Sequence, residues 1–329
     1  MNKNLLLFIL GKLLRMTGLL ICLSIIIFWL MSKSPIDPIQ AYVGADMMLV
    51  GPEQRQQIME YWGLNEPPVE RFKHWLLAVS RGDLGTSMIY RQPVLQVIKE
   101  RFTASLALMG MAWLLSGVFG FALGVLAGVK QGTRLDGMIK WYCLTLASTP
   151  GFWLGLLMLV VFAVWLGWFP VGLGVPAGVL QENVSWLDRL YHLILPAITL
   201  SITGVANVAL HTRQKLIDVL NSDYVLFAKA RGESNWTIFW RHGLRNVALP
   251  AITLQFASFG ELFGGSVLAE QVFSYPGLGQ ATVQAGLRGD LPLLLAIALF
   301  SAIFIFTGNF IADLIYRVID PRIREGELL

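Results

Sequence analysis

Charged residues are scarce in this chain of 329 residues. They make up 14% of the sequence, against about a quarter in ordinary soluble domains, whereas hydrophobic residues make up 55%. The formal net charge is only +4 and there is no dense basic tract, which excludes nucleic acid as an expected partner. The composition is typical of a protein that lies in a lipid bilayer.

Residues that bind metals or form disulfides are equally few. The two cysteines, Cys22 and Cys143, lie in apolar runs without partners, so both are expected to be small buried hydrophobic residues. No two of the four histidines are spaced as metal ligands, and each is expected to be a surface or capping residue. They lie outside the apolar runs or at their ends: His74, His192, His211 and His242. The sequence therefore predicts no metal site.

Motifs of catalytic chemistry are missing as well. The stretch "GVKQGTR" does not fit the phosphate loop G-x-x-x-x-G-K-[ST], and no other stretch does, so the chain is not expected to hydrolyse ATP. Neither H-E-x-x-H nor G-x-S-x-G occurs, which argues against a membrane-embedded enzyme. We therefore expect neither a catalytic residue nor a cofactor in this chain.

Long apolar runs are what the sequence does contain. A helix needs about 20 mostly apolar residues to cross a bilayer core of about 30 Å. Six runs qualify: 9–31, 103–129, 138–166, 192–210, 247–269 and 291–318. The first resembles a signal peptide, but the "SKSPIDPIQ" that follows lacks a small-residue cleavage pattern, so we expect an uncleaved helix. The sequence predicts an all-α polytopic membrane protein with six transmembrane helices.

The distribution of Lys and Arg predicts how the chain is oriented. Positive charges concentrate before the first run, between the second and third, and between the fourth and fifth, which places both termini in the cytoplasm. The predicted organisation is an N-terminal segment with the first helix (1–31), an extracytoplasmic loop (32–101), a membrane core (102–318) and a cytoplasmic tail (319–329).

The loop 32–101 is expected to be folded. Pro52, Pro93 and the glycines at 63 and 82 are typical of helix starts and stops. One apolar helix face is predicted from the spacing of Phe72, Trp75, Leu76 and Val79. Two uses stay open for this loop: a cap over the helix ends, or a docking surface for an external partner.

The segment 213–246, called the elbow below, is basic and aromatic. Its nine charged residues would each cost about 2.5–3.5 kcal/mol at the centre of a membrane helix, so it is not expected to cross the bilayer. Ser222 and Asp223 favour a helix start, and Gly232 favours a sharp turn before a second amphipathic helix that contains Trp236 and Trp240. The residues alone leave two environments open, the lipid interface or a groove on another protein.

Motifs along most of the chain resemble ATP-binding-cassette importer permeases of the peptide and nickel uptake family. The elbow reads "AKARG" (228–232) and "RHGLRN" (241–246), similar to that family's cytoplasmic EAA loop, although Leu226 and Phe227 stand where Glu and Ala are usual. "GLNEPPVERFKHWL", "GDLGTS", "VFSYPGLG" (272–279) and "DPRIR" (320–324) resemble further family motifs, with Tyr275 replacing a Trp.

The resemblance implies a type I importer permease fold in a bacterial inner membrane. The implied partners are a second homologous permease, two cytoplasmic ATPase subunits that bind ATP and Mg²⁺, and an extracytoplasmic solute-binding protein. Six elbow residues would couple ATP hydrolysis to transport, with the two at 227 and 228 as packing knobs: Tyr224, Phe227, Ala228, Gly232, Trp236 and Arg241.

Glu261 lies near the middle of the fifth run, where an unpaired carboxylate should face protein or a water-filled cavity. It could line the transport path with Gly264 and Gly265 and meet a cationic part of the cargo, or it could pair with a polar group on a neighbouring helix. The cargo stays open between a short peptide, a nickel or metal chelate and another small solute. A secondary transporter or channel is the alternative, although its spans should hold more ionisable groups.

Overall fold

The computed structural model describes residues 3–33, 39, 43, 51–61, 65–179 and 183–319. These residues form helices and no strand beyond one isolated bridge between Thr86 and Pro93. The helices are α1 (Lys3–Ser32), α2 (Pro52–Tyr61), α3 (Pro68–Ser80), α4 (Val94–Val129), α5 (Arg134–Ala147), α6 (Gly151–Met158), α7 (Trp186–Leu220), α8 (Asp223–Ala230), α9 (Asn235–Ile238), α10 (Leu244–Ala257), α11 (Phe259–Val272), α12 (Leu278–Arg288) and α13 (Leu291–Ile319). Two π-helical segments, Leu159–Trp165 and Phe239–Gly243, extend α6 and α9. The "DPRIR" motif and Gly63 lie outside the described residues.

All six predicted runs are helical, but two of them are bent. By length and composition α1, α4, α7 and α13 are candidate spans, and two bent pairs raise the number to six among the described residues. The third run breaks by 105° between α5 and α6, and the fifth by 52° between α10 and α11. At the first break Pro150 disfavours a helical conformation for the residue before it. The six helical runs are confirmed, and the bends in the third and fifth are features that apolar length does not predict.

The chain comprises two compact units. The first comprises residues 1–104 and 277–306, and it contains the loop 32–101, where α2 and α3 confirm the helices predicted there. The centroid of the Phe72 ring lies 5.1 Å from that of the Phe28 ring and 5.8 Å from that of the Trp75 ring. Leu76, which the helical spacing also places near this face, remains 48% exposed.

A buried carboxylate ties this loop to the start of α13. Asp290 accepts hydrogen bonds from the Ser87 hydroxyl at 2.6 Å, from the Ile89 backbone at 3.0 Å and from the Leu293 backbone at 3.2 Å. Burial raises the pKa of Asp290, and these hydrogen bonds oppose that rise.

The second unit comprises residues 105–276 and 307–329, and a row of glycines brings α4 and α7 together inside it. Gly120, Gly124 and Gly128 recur every four residues, so they share one face of α4. A Cβ atom would lie 2.7 Å from the Val208 side chain at the first position, and 2.6 Å from the Ala209 carbonyl oxygen at the second. The absence of side chains lets the two backbones approach closely, as in other membrane helix pairs.

Polar side chains that are paired with each other hold the same unit together. Gln255 on α10 donates to the Trp113 carbonyl at 2.7 Å and to the Ser116 hydroxyl at 2.8 Å, both on α4. Ser105 donates to Glu270 at 2.6 Å, and both side chains are buried. The expectation for the cysteines is half right, because Cys143 is buried whereas Cys22 is exposed.

The "VFSYPGLG" stretch forms the turn after α11. Tyr275 is buried, and its backbone donates to the Glu270 carbonyl at 2.9 Å. Burial, followed by the nearby Glu270 carboxylate, raises the pKa of Tyr275 to about 12, so this phenol stays neutral at physiological pH. The turn also packs against the loop after α6, since a Cβ on Gly172 would lie 2.7 Å from the Phe273 carbonyl oxygen.

Candidate functional site: an elbow and a polar cavity

The elbow contains the helix and the turn that its sequence predicts. Ser222 is the N-cap residue of α8, and Gly232 adopts a φ of +84°, a left-handed conformation that favours glycine. The second predicted helix is not a separate element, because α9 runs through the π-helical segment directly into α10. The elbow is therefore continuous with the fifth run.

The inward face of the elbow packs against the ends of α4 and α7. Ala228 is 2% exposed, so it anchors α8 inside the chain's own core and cannot be an outward knob as its pairing with Phe227 suggested. The cluster that holds it consists of Val125, Val129, Leu216, Leu220, Val225, Ala228, Ile238, Phe239 and Val247. The Asn235 side chain also donates to the Val129 carbonyl at 3.3 Å, and Lys229 donates to the Leu220 carbonyl at 3.1 Å.

The outward face of the elbow is aromatic. Phe227 is 75% exposed, Trp240 63% and Tyr224 46%, and the neighbouring Trp236 is 40% exposed. The Arg241 side chain is also exposed and lies 3.9 Å from Glu233. Trp240 follows Phe239 directly in the π-helical segment, but only Phe239 lies in the buried cluster, and Trp240 stays exposed. The five predicted coupling residues other than Ala228 therefore belong to the surface or to the turn.

The first residue of the elbow forms an ion pair. The Arg213 guanidinium on α7 makes a bidentate contact with Asp136 on α5, with 2.8 Å between Nη2 and Oδ2. The exposed fractions of these side chains are only 16% and 6%. Arg213 thus belongs to a packed helix, since α7 continues ten residues beyond the predicted end of the fourth run at Leu210.

A cavity of about 400 Å³ lies within the second unit. Its polar lining comes from α4, α7 and the junction of α10 with α11: Ser116, Thr203, Asn207, His211, Ser258 and Glu261. Apolar side chains such as Leu200, Val208 and Leu262 complete the walls.

The three residues predicted for the transport path are only partly brought together. Glu261 and Gly265 line the cavity, whereas Gly264 does not. A Cβ at Gly264 would meet nothing within 4 Å, but at Gly265 it would lie 3.0 Å from the Leu200 side chain. Gly265 therefore permits close packing of α11 against α7.

The sequence reasoning missed the polar face of α7. Thr203, Asn207 and His211 recur every four residues, a spacing that puts them on one side of a helix. That signal was present in the sequence, but ending the fourth run at Leu210 made His211 look like a terminal residue. The structure places His211 inside a longer helix and in the cavity lining, not at a helix end.

Comparison with known proteins gives matches along nearly the whole chain. The family model described as "Binding-protein-dependent transport system inner membrane component" matches residues 120–325. The chain is 34% identical over 317 residues to the oligopeptide transport system permease protein AppB of Bacillus subtilis (strain 168), covering 96% of this chain and 98% of that protein. It is 35% identical over 325 residues to the glutathione transport system permease protein GsiC of Escherichia coli (strain K12), with coverage of 96% and 98%.

A solved structure shares the fold. A chain from the inward-facing MetNI methionine ABC transporter aligns with a TM-score of 0.54 at 16% identity, covering 69% of this chain and 97% of that one. This likeness concerns the fold alone, and it confirms the predicted importer permease architecture.

Proposed function

Because the chain belongs to the family of binding-protein-dependent transport system inner membrane components, we propose that it forms one half of a peptide pathway through the inner membrane. The chain is a multi-pass permease subunit of an ATP-binding-cassette importer. Such a subunit works with ATPase subunits and a solute-binding protein, and it has no ATPase site of its own. Family membership disfavours the alternative of a secondary transporter or channel.

The complete importer contains, in this proposal, a second homologous permease, two cytoplasmic ATPase subunits with ATP and Mg²⁺, and the solute-binding protein. The termini and the elbow lie in the cytoplasm, and the loop 32–101 faces the binding protein. The distribution of Lys and Arg supports this orientation. The exposure of Glu261 and Gly264 supports a second permease that completes the path.

The elbow transmits the work of the ATPases to the membrane helices. One observation carries this part of the proposal: α8 is anchored on its inner side by Ala228, while Phe227 next to it is 75% exposed. An aromatic surface on a short helix fits a groove on a partner protein, and the packed inner face would pass a displacement on to α4 and α7.

Peptides are the cargo that the relatives favour. AppB is named for oligopeptide transport and GsiC for glutathione transport. Glu261 lines the path in this proposal and meets the cationic part of the cargo, as the cavity position of its carboxylate supports. A nickel chelate has less support from the named relatives.

Truncating Phe227 tests the docking of the elbow. We expect Phe227→Ala to weaken co-purification of the ATPase subunits by about tenfold, since exposed aromatic anchors often contribute 2 kcal/mol or more to an interface. Trp186→Ala is the matched control, because Trp186 is 71% exposed at the other end of α7. Equal retention of the ATPases by the two variants would place the elbow in lipid headgroups or water instead.

Gly232 tests whether the elbow transmits motion. Gly232→Val should keep the complex assembled but lower the ratio of uptake to ATP hydrolysis, because a side chain at a φ of +84° distorts the turn. Gly82→Val is the control, since Gly82 has the same φ of +84° and equally open surroundings. Normal coupling in the Gly232 variant would contradict a rigid elbow.

A further inference from the structure

The polar face of α7 and Glu261 are both exposed to one cavity. Thr203, Asn207 and His211 cover nine residues of α7, or about 12 Å from the first to the last at 1.5 Å per residue. Two close approaches give the direction of the facing helices: Gly243 lies beside Leu216, and Gly265 beside Leu200. The pair α10 and α11 therefore runs antiparallel to α7, and Glu261 is level with the Thr203 end of the polar face.

These four side chains differ from the paired polar groups described above. Within the described part of the chain, the side chains of Thr203, Asn207, His211 and Glu261 make no hydrogen bond or ion pair. On the same helix, Thr199 donates to the Leu195 carbonyl at 2.9 Å and Ser201 to the Ile198 carbonyl at 2.8 Å. Unpaired polar groups at membrane depth are costly unless they face water or a solute.

We propose that this cavity is a binding subsite for a short peptide with free termini, held between Glu261 and His211. This inference rests on the peptide cargo proposed above. The carboxylate of Glu261 accepts hydrogen bonds from the peptide's ammonium group, and the His211 ring donates to its carboxylate. Thr203 and Asn207 offer both a donor and an acceptor to the peptide groups between them.

The dimensions of the cavity agree with this cargo. From the level of Glu261, at Thr203, to His211 the path along α7 covers about 12 Å. An extended chain spans about 3.3–3.6 Å per residue, so a tripeptide covers about 10–11 Å and its terminal hydrogen bonds cover the remainder. The volume of about 400 Å³ falls in the range of small-ligand sites, about 300–1,000 Å³. The apolar walls leave room for side chains of varied shape.

Uptake by the complete importer in proteoliposomes tests the subsite. The probes are trialanine, N-acetyl-trialanine and trialanine amide, and each variant is compared with wild type on the same probe, so the preference of the binding protein cancels. We expect Glu261→Gln to lower trialanine uptake about tenfold or more, through loss of a charge-assisted hydrogen bond, and to lower uptake of the acetylated probe less than twofold. His211→Ala should lower the uptake of trialanine but leave the uptake of trialanine amide nearly unchanged.

Asp188→Asn is the matched control, since Asp188 lies in the first turn of α7, outside both the elbow and the cavity lining. It should change uptake of no probe. If Glu261→Gln lowers uptake of free and acetylated peptide equally, or of neither, the subsite is overturned while the importer function stands. A wild-type complex that hydrolyses ATP but takes up none of the three probes overturns the peptide cargo itself, and the subsite with it.

Discussion

Two groups of polar side chains in the second unit do different work. Asp136 with Arg213, Gln255 with Trp113 and Ser116, and Ser105 with Glu270 are paired across helices and mostly buried. The polar face of α7 and Glu261 line a cavity and, within the described residues, make no such bonds. Both groups lie among apolar helices, so polarity alone does not separate them.

The difference shows how pairing distinguishes structure from function. A buried pair contributes to stability because removing one partner leaves the other desolvated and unsatisfied. A polar group that faces a cavity already has its alternative partner in water, so its removal changes stability little. Variants of the first group should therefore change folding, and variants of the second should change transport.

The largest expected effect comes from the ion pair. Asp136→Ala leaves the Arg213 guanidinium nearly buried without its carboxylate, and we expect a loss of about 3 kcal/mol in the free energy of unfolding. Thermal denaturation of the purified subunit measures it. Glu70→Ala is the control, because its pair with Lys73 is about half exposed and should contribute less than about 1 kcal/mol. Similar losses of stability for the two variants would contradict the distinction between buried and exposed pairs.

The glycine row gives the next largest effect. Gly124→Ala introduces a Cβ that would lie 2.6 Å from a backbone oxygen of α7, and we expect a loss of about 1–3 kcal/mol. Gly110→Ala on the same helix meets nothing within 4 Å and should be neutral or slightly stabilising, since Ala favours helices. Denaturation midpoints of the two variants check this. An unchanged midpoint for Gly124→Ala would mean that α4 and α7 separate easily.

The smallest stability effect is expected from the cavity. Asn207→Ala and Gln255→Ala remove similar amide groups, one unpaired and one bonded to α4. We expect Gln255→Ala to lose about 1 kcal/mol of stability and Asn207→Ala less than about 0.5 kcal/mol. Uptake of trialanine should fall for Asn207→Ala all the same. A destabilised Asn207 variant would assign this residue to the structural group.

Local signals in the elbow were sufficient for much of its structure. Ser222 and Gly232 lie at the two ends of α8, so the start of this helix and the turn after it were predicted correctly, although the Ser222 hydroxyl donates to the Val219 carbonyl and does not cap α8. The burial of Ala228 and the exposure of Trp240 were not predictable in this way. Both depend on the ends of α4 and α7, which are distant in sequence: those helix ends cover Ala228 and Phe239 but not Trp240.

The cavity shows the same limit more clearly. Glu261 was identifiable because a carboxylate in an apolar run is costly wherever the run packs. That Glu261 and His211 line the same cavity was not predictable, because it depends on where α7 ends and on which face of α7 meets α11. The motifs of the family indicated the importer permease fold, but a motif does not state which side chains share a cavity.

The sequence by itself determined that this chain is a helical membrane permease, because apolar length, charge distribution and short motifs are properties of consecutive residues. Only the tertiary structure decided which polar groups are paired, where the third and fifth runs bend, and which face of the elbow is free. Those features depend on contacts between helices that are far apart in the chain, and the energy of each contact exists only once both helices are in place.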